Sequence, residues 1–160
     1  MSVHEECGQS VAALGKVNEP LLADALSHPF FSHRLPKSAG WEQFGRDFVQ
    51  RYFLPHSSFP SPVGEGSKGW GCARFEELLR TSLELTARMI AGALARFVFP
   101  GAKIDRLIVS GGGAHNRLLT KRLVELLPNL TVDLSERYGL PVDAKEAIAF
   151  AILADRTLQH

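Results

Sequence analysis

The sequence predicts an α/β fold, a mixed or parallel sheet packed by helices, and three observations support that. Arg106-Leu-Ile-Val-Ser110 is a short β-branched run of the kind found in buried parallel strands. Gly111, Gly112 and Gly113 follow it and lead into a leucine-periodic stretch, so a strand turns directly into a helix. A second short strand, Leu130-Thr-Val-Asp-Leu134, and an alanine-rich helix from Asp143 to Leu158 complete an alternation expected of a doubly wound sheet.

Composition narrows the function classes. The 160 residues are 45% hydrophobic and 22% charged, with 18 Lys+Arg against 17 Asp+Glu and a net charge of +1. The apolar share excludes disorder throughout. The near-zero charge gives no electrostatic reason to expect nucleic acid or an anionic membrane as partner. Cys7 and Cys72 sit in no metal-ligand pattern, so no disulfide framework is expected and the cytoplasm is the expected compartment. The first ten residues have no apolar h-region, and the apolar stretch from Met89 to Phe99 is interrupted by Arg96 and too short to span a membrane. Function must come from specific sites.

The elements follow in order. Asn18 is a good helix cap and Pro20 suits the first turn, so a short helix runs to about Ser27, before Pro29. After Gly40, the residues Trp41, Phe44, Phe48 and Tyr52 recur at helical spacing and predict one aromatic face packed in the core. Leu54 to Arg74 is rich in Pro, Gly and Ser and reads as a loop that Phe59 and Trp70 tack to the surface. From Phe75 to Phe97 a stripe of Phe75, Leu79, Leu83, Thr86, Ile90, Leu94 and Phe97 predicts a long amphipathic helix, with Glu84 and Arg88 paired on another face. Pro100 and Gly101 stop it. Asn116 to Leu127 is a helix with Leu118, Leu119, Leu123, Leu126 and Leu127 on one side. The last helix turns Ile148, Ala151 and Ile152 towards the core. The chain therefore divides into a helical segment (1–53), a loop (54–74) and an α/β lobe (75–160).

Ser110-Gly-Gly-Gly-Ala-His-Asn116 is the strongest chemical signal. Glycines at the carboxyl end of a strand let a ligand approach the backbone, and the helix beyond offers unpaired N–H groups. The pattern is neither a dinucleotide-binding nor a lysine-containing phosphate-loop fingerprint, and a tight turn alone also accounts for it. Asn116 is placed either to cap the helix or to touch a ligand, and His115 either to touch one or to sit in solvent. Asp143 and Glu146 have the spacing of a capping box, while a carboxylate there could equally bind hydroxyls of a substrate. Lys37 and Ser38 lie in a polar-aromatic turn that could line a site. No catalytic triad, metal-ligand cluster or basic stripe is legible.

Four segments together resemble the C-terminal portion of the anhydro-N-acetylmuramic acid kinase family, of the sugar kinase, actin and heat-shock ATPase superfamily. They are Gly15 to Leu22 with His28 to Phe31; Pro36 to Phe44; Thr81 to Ala87; and Ser110 to Asn116 with Glu146 to Ala154. The resemblance implies the C-terminal lobe of an actin-like (ribonuclease H-like) ATPase. It implies ATP- and Mg²⁺-dependent conversion of 1,6-anhydro-N-acetylmuramic acid to N-acetylmuramic acid 6-phosphate with ring opening, in peptidoglycan recycling. It places Gly111, Gly112, Gly113 and Asn116 at the nucleotide and Glu146 towards the sugar. Family members are more than twice as long, and their phosphate loop and water-activating aspartate have no counterpart here. Ala39 and Trp41 replace the usual threonine and arginine. The chain thus reads as a C-terminal fragment with no catalytic residue of its own, expected to meet an N-terminal lobe partner or form a homodimer. A non-catalytic nucleotide-binding or interaction module, or another sugar kinase of the superfamily, is the alternative.

Overall fold

The computed structural model describes residues 10–34, 36–56 and 75–159. Cys7, Cys72, Phe59, Trp70 and most of the Pro/Gly/Ser stretch lie outside them. The chain is helical over residues 10–14 (α1). Then come α2 (Glu19–Leu26), short helices α3 (Trp41–Phe44) and α4 (Arg46–Phe48), and a wide π-type turn at Val49–Phe53. Further on are α5 (Phe75–Ala93), β1 (Arg106–Val109), α6 (Arg117–Leu126), β2 (Thr131–Leu134) and α7 (Lys145–Leu158).

Local chemistry explains the helix starts. The Asn18 side chain accepts the Leu21 N–H at 3.0 Å, and Pro20 lies in the first turn of α2. The Asn18 N–H itself donates to Thr81 Oγ1 at 2.9 Å, which pins the start of α2 to the middle of α5. Helix α5 is the spine. On one side Leu85 joins Leu21, Leu22, Ala25, Phe48 and Tyr52; on the other Ala87 joins Leu123 and Leu127 of the α6 region, with Leu107 of β1 behind them. Burial of this apolar surface is the main driving force for the assembly. His28 is packed against Phe31, Phe44, Phe48 and Tyr52, and its Nδ1 accepts the Phe30 N–H at 3.3 Å. Burial, reinforced by Arg51 and His33, lowers its pKa below the ordinary 6.5.

Three packing expectations are corrected. Trp41 is not in the core but 85% exposed. Gly45 breaks the predicted aromatic helix, because its ψ of −143° lies outside the helical region, and its backbone passes so close to the Trp41 carbonyl that only glycine fits there. Trp41 therefore leaves the face that keeps Phe44, Phe48 and Tyr52. The α5 stripe is also incomplete: Phe75 is 52% exposed and Thr86 lies in solvent, whereas Thr81, Leu83, Glu84, Leu85 and Ala87 are buried. A helix packed on two sides buries more than one stripe. Finally, α7 does not turn Ala151 and Ile152 inward; it contains no buried residue, and Ile152 is 56% exposed.

Among the described residues the sheet is one parallel pair, with Arg106 opposite Thr131 and Val109 opposite Leu134. Helix α6 is the crossover that parallel pairing requires. The molecule is mixed α/β and mostly helical, with a smaller sheet than the doubly wound alternation predicts. No helix among the described residues is long and apolar enough to cross a membrane.

Candidate functional site

Strand β1 ends at Val109 and the glycine turn begins two residues later. Gly111 has φ 81° and ψ 178°, a backbone conformation essentially reserved for glycine, and open space surrounds the position a Cβ would take. Gly112–His115 form a 3-10 turn, and Asn116 then caps α6 by accepting the Leu119 N–H at 3.0 Å. The capping role expected of Asn116 is thus present, and its carboxamide oxygen is committed to it.

The turn is fastened to the segment that opens α7. The Gly111 N–H donates to the Val142 carbonyl at 2.8 Å, and His115 Nε2 lies 2.8 Å from Asp143 Oδ1. His115 is therefore held rather than merely solvated. Asp143 does not cap α7. It belongs to a 3-10 turn, Val142–Ala144, that follows Pro141, and the N-cap of α7 is Ala144, with no side-chain bond. The capping-box reading of Asp143 and Glu146 is overturned: the carboxylate that should close the helix start is turned to His115 instead. Glu146 stands exposed in the first turn of α7, 3.7 Å from Lys145 Nζ.

The structure brings the glycine turn, Asn116 and the approach to Glu146 into one neighbourhood. Lys37 is elsewhere. Its ammonium donates to the Phe30 carbonyl at 3.0 Å and lies over the Phe30 and Phe97 rings, a contact that ties the 36–40 turn to the helices. Ser38 is exposed.

Two charged clusters lie outside this neighbourhood. Glu84, 1% exposed, receives Arg122 through Nε and Nη2 at 2.7 and 2.9 Å and Arg88 Nε at 2.7 Å. The Arg122 hydrogen bonds, aided by Arg88, hold its carboxyl below the ordinary range against the opposing effect of burial. The sequence predicts the Arg88 pair; it carries no signal for Arg122, which is 38 residues away. At the end of β2, Asp133 accepts the Tyr138 hydroxyl at 2.6 Å and Arg137 Nη1 at 2.7 Å, with Arg106 Nε at 3.4 Å. These bonds, Tyr138's first, lower the Asp133 pKa. The Arg137 and Tyr138 spacings, four and five residues on, could have revealed this cluster. Both carboxylates are saturated by protein partners, which is the mark of a structural rather than a reacting group.

A family model described as anhydro-N-acetylmuramic acid kinase matches residues 4–160. The chain is 42% identical over 157 residues to an anhydro-N-acetylmuramic acid kinase of Xylella fastidiosa, covering 97% of this chain and 36% of that protein. It is 36% identical over 148 residues to one of Caldanaerobacter subterraneus (92% and 34%), and 34% identical over 149 residues to one of Clostridioides difficile (93% and 35%). The chain spans about a third of the length of the curated relatives it matches.

Proposed function

We propose, because this chain belongs to the anhydro-N-acetylmuramic acid kinase family, that it forms the nucleotide-side portion of an ATP-dependent sugar kinase. The whole enzyme would phosphorylate O6 of 1,6-anhydro-N-acetylmuramic acid while water opens the anhydro ring. The product would be N-acetylmuramic acid 6-phosphate, in cytoplasmic recycling of cell-wall sugars. In this reading residues 75–160 are the C-terminal lobe of an actin-like ATPase, residues 1–53 lead into it, and 54–74 are a connecting loop.

The observation that carries the reading is the junction of the glycine turn with the start of α7, through the Gly111–Val142 and His115–Asp143 contacts. One rigid corner then serves two ligands. Gly111, Gly112 and Gly113 would border the adenosine, with Asn116 fixing the helix behind them, and Glu146 would face the sugar.

The glycine turn fits ATP: a side-chain-free backbone with open space at Gly111 leaves room for a flat base and ribose. Magnesium in a kinase is held mainly by nucleotide phosphates and water with one or two carboxylates, so these residues need not form a cage for it. Among the described residues no three of His, Cys, Asp and Glu lie close enough to hold an ion. The phosphate cradle and the oriented water that phosphoryl transfer needs would come from the other two thirds of the relatives' length.

Calorimetric titration of the chain with ADP tests the reading. Binding is expected, and Gly112→Val, which puts a branched side chain into the turn, should weaken it at least about tenfold, about 1.4 kcal/mol, with the helical circular dichroism unchanged. Equal affinity in the variant would leave the triplet as a turn and nothing more.

A further inference from the structure

Helix α7 is apolar from Ala147 to Ala154 without a break. At 100° per residue, Ile148 and Ile152 fall on one side of the helix and Phe150 and Leu153 on the opposite side. Yet Phe150 is 69%, Ile152 56%, Leu153 61% and Leu158 87% exposed. A helix that is apolar all round belongs in an interior, between two packed surfaces. The sheet is incomplete in the same sense. Parallel strands are normally covered on both faces, but Leu107 packs on the α5–α6 side while Ile108, pointing the other way, is 51% exposed.

We infer that α7 is a docking element that wedges into polypeptide equivalent to the two thirds of the relatives' length that this chain does not match. The inference rests on the family reading above. Two observations favour this occupant over a second copy. The matched stretch is 36% of the Xylella fastidiosa relative, so ample polypeptide to cover both sides of an interior helix lies outside the match. A two-fold pairing of α7 with itself covers one side of each helix and leaves the opposite apolar side in water.

The test is co-expression of the tagged 160-residue chain with the unmatched portion of the Xylella fastidiosa relative, followed by purification on the tag and sizing by light scattering. The expected result is a one-to-one complex. Phe150→Glu and Leu153→Glu, both at largely exposed positions of the lone chain, should each cut the recovered partner at least about tenfold. Leu14→Glu, at an equally exposed apolar site on α1, should not. No complex with wild-type chain, a complex indifferent to the α7 substitutions, equal loss with Leu14→Glu, or an α7-dependent homodimer of the chain alone would each overturn the inference. A complex that forms through α7 but transfers no phosphate keeps this surface and removes the kinase reading. An active assembly indifferent to α7 does the reverse.

Discussion

A carboxylate buried in the middle of a helix costs several kcal/mol unless opposite charge and hydrogen bonds meet it, and Glu84 has both. Arg122 grips its two oxygens, Arg88 adds a third bond, and the outer ends of the two arginines reach Glu19 and Glu125. The chain of charges crosses α2, α5 and α6, so it fixes how three helices sit on one another. Arg122→Ala strands most of that buried charge and should lower the unfolding free energy by about 3–5 kcal/mol in urea denaturation. The pH dependence has a definite sign. The folded-state pKa of Glu84 lies below the ordinary 4.5, so in that window the unfolded chain binds the extra proton. The stabilisation is complete above about 4.5 and is lost as the pH falls from there through the lowered folded value. Glu84→Gln should flatten this part of the stability profile, measured as urea midpoints across the acid range; a profile as steep as wild type would assign the acid transition to other groups.

At the scale of elements, what the sequence discloses depends on how local the deciding contact is. The starts of α2 and α6 are legible because Asn18 and Asn116 act within one turn of their own positions. The strand ends and the glycine turn are legible for the same reason. The start of α7 is not. Asp143 and Glu146 have the right spacing for a local cap, but Pro141 begins a tight turn and His115, 28 residues earlier, takes the carboxylate. Long-range competition of this kind leaves no trace in a spacing rule, and neither does the passage of the Gly45 backbone against Trp41. The Asp143–His115 contact also gives the junction a testable role. Asp143→Ala should cost less than about 1 kcal/mol overall, because the Asp143 side chain is largely exposed. It should nonetheless raise amide hydrogen exchange at Gly111, whose N–H is held by the neighbouring Val142 carbonyl, while Leu123 in α6 stays protected. Equal exchange at Gly111 would mean that the backbone bond alone holds the turn.

For the whole molecule, legibility ends where the rest of the relatives' length begins. Periodicity finds α7 but turns Ile152 and Ala151 inward, because a pattern reports that a residue needs burial and not which surface supplies it. The same limit governs Glu146. Its first-turn position is visible in the sequence, but the structure removes the cap that would explain it and leaves an exposed carboxylate 3.7 Å from Lys145. An exposed pair of that kind contributes about 0–1 kcal/mol, so stability gives no strong reason for a glutamate there. The proposed sugar contact would supply one. Glu146→Gln keeps the size and the hydrogen-bonding oxygen but removes the charge that sugar hydroxyls or a developing ring cation would meet. The substitution belongs in the complete kinase, assembled with the remaining two thirds, with melting temperature and kcat/KM for the anhydro sugar measured side by side. A sugar-binding role predicts a melting temperature within about 2 °C of wild type, since a few tenths of a kcal/mol shift it by no more than that in a domain of this size. It predicts at the same time a loss of at least about tenfold in kcat/KM, equivalent to about 1.4 kcal/mol of transition-state binding. Unchanged kinetics would take Glu146 out of the proposed site and leave the sugar contact to other residues.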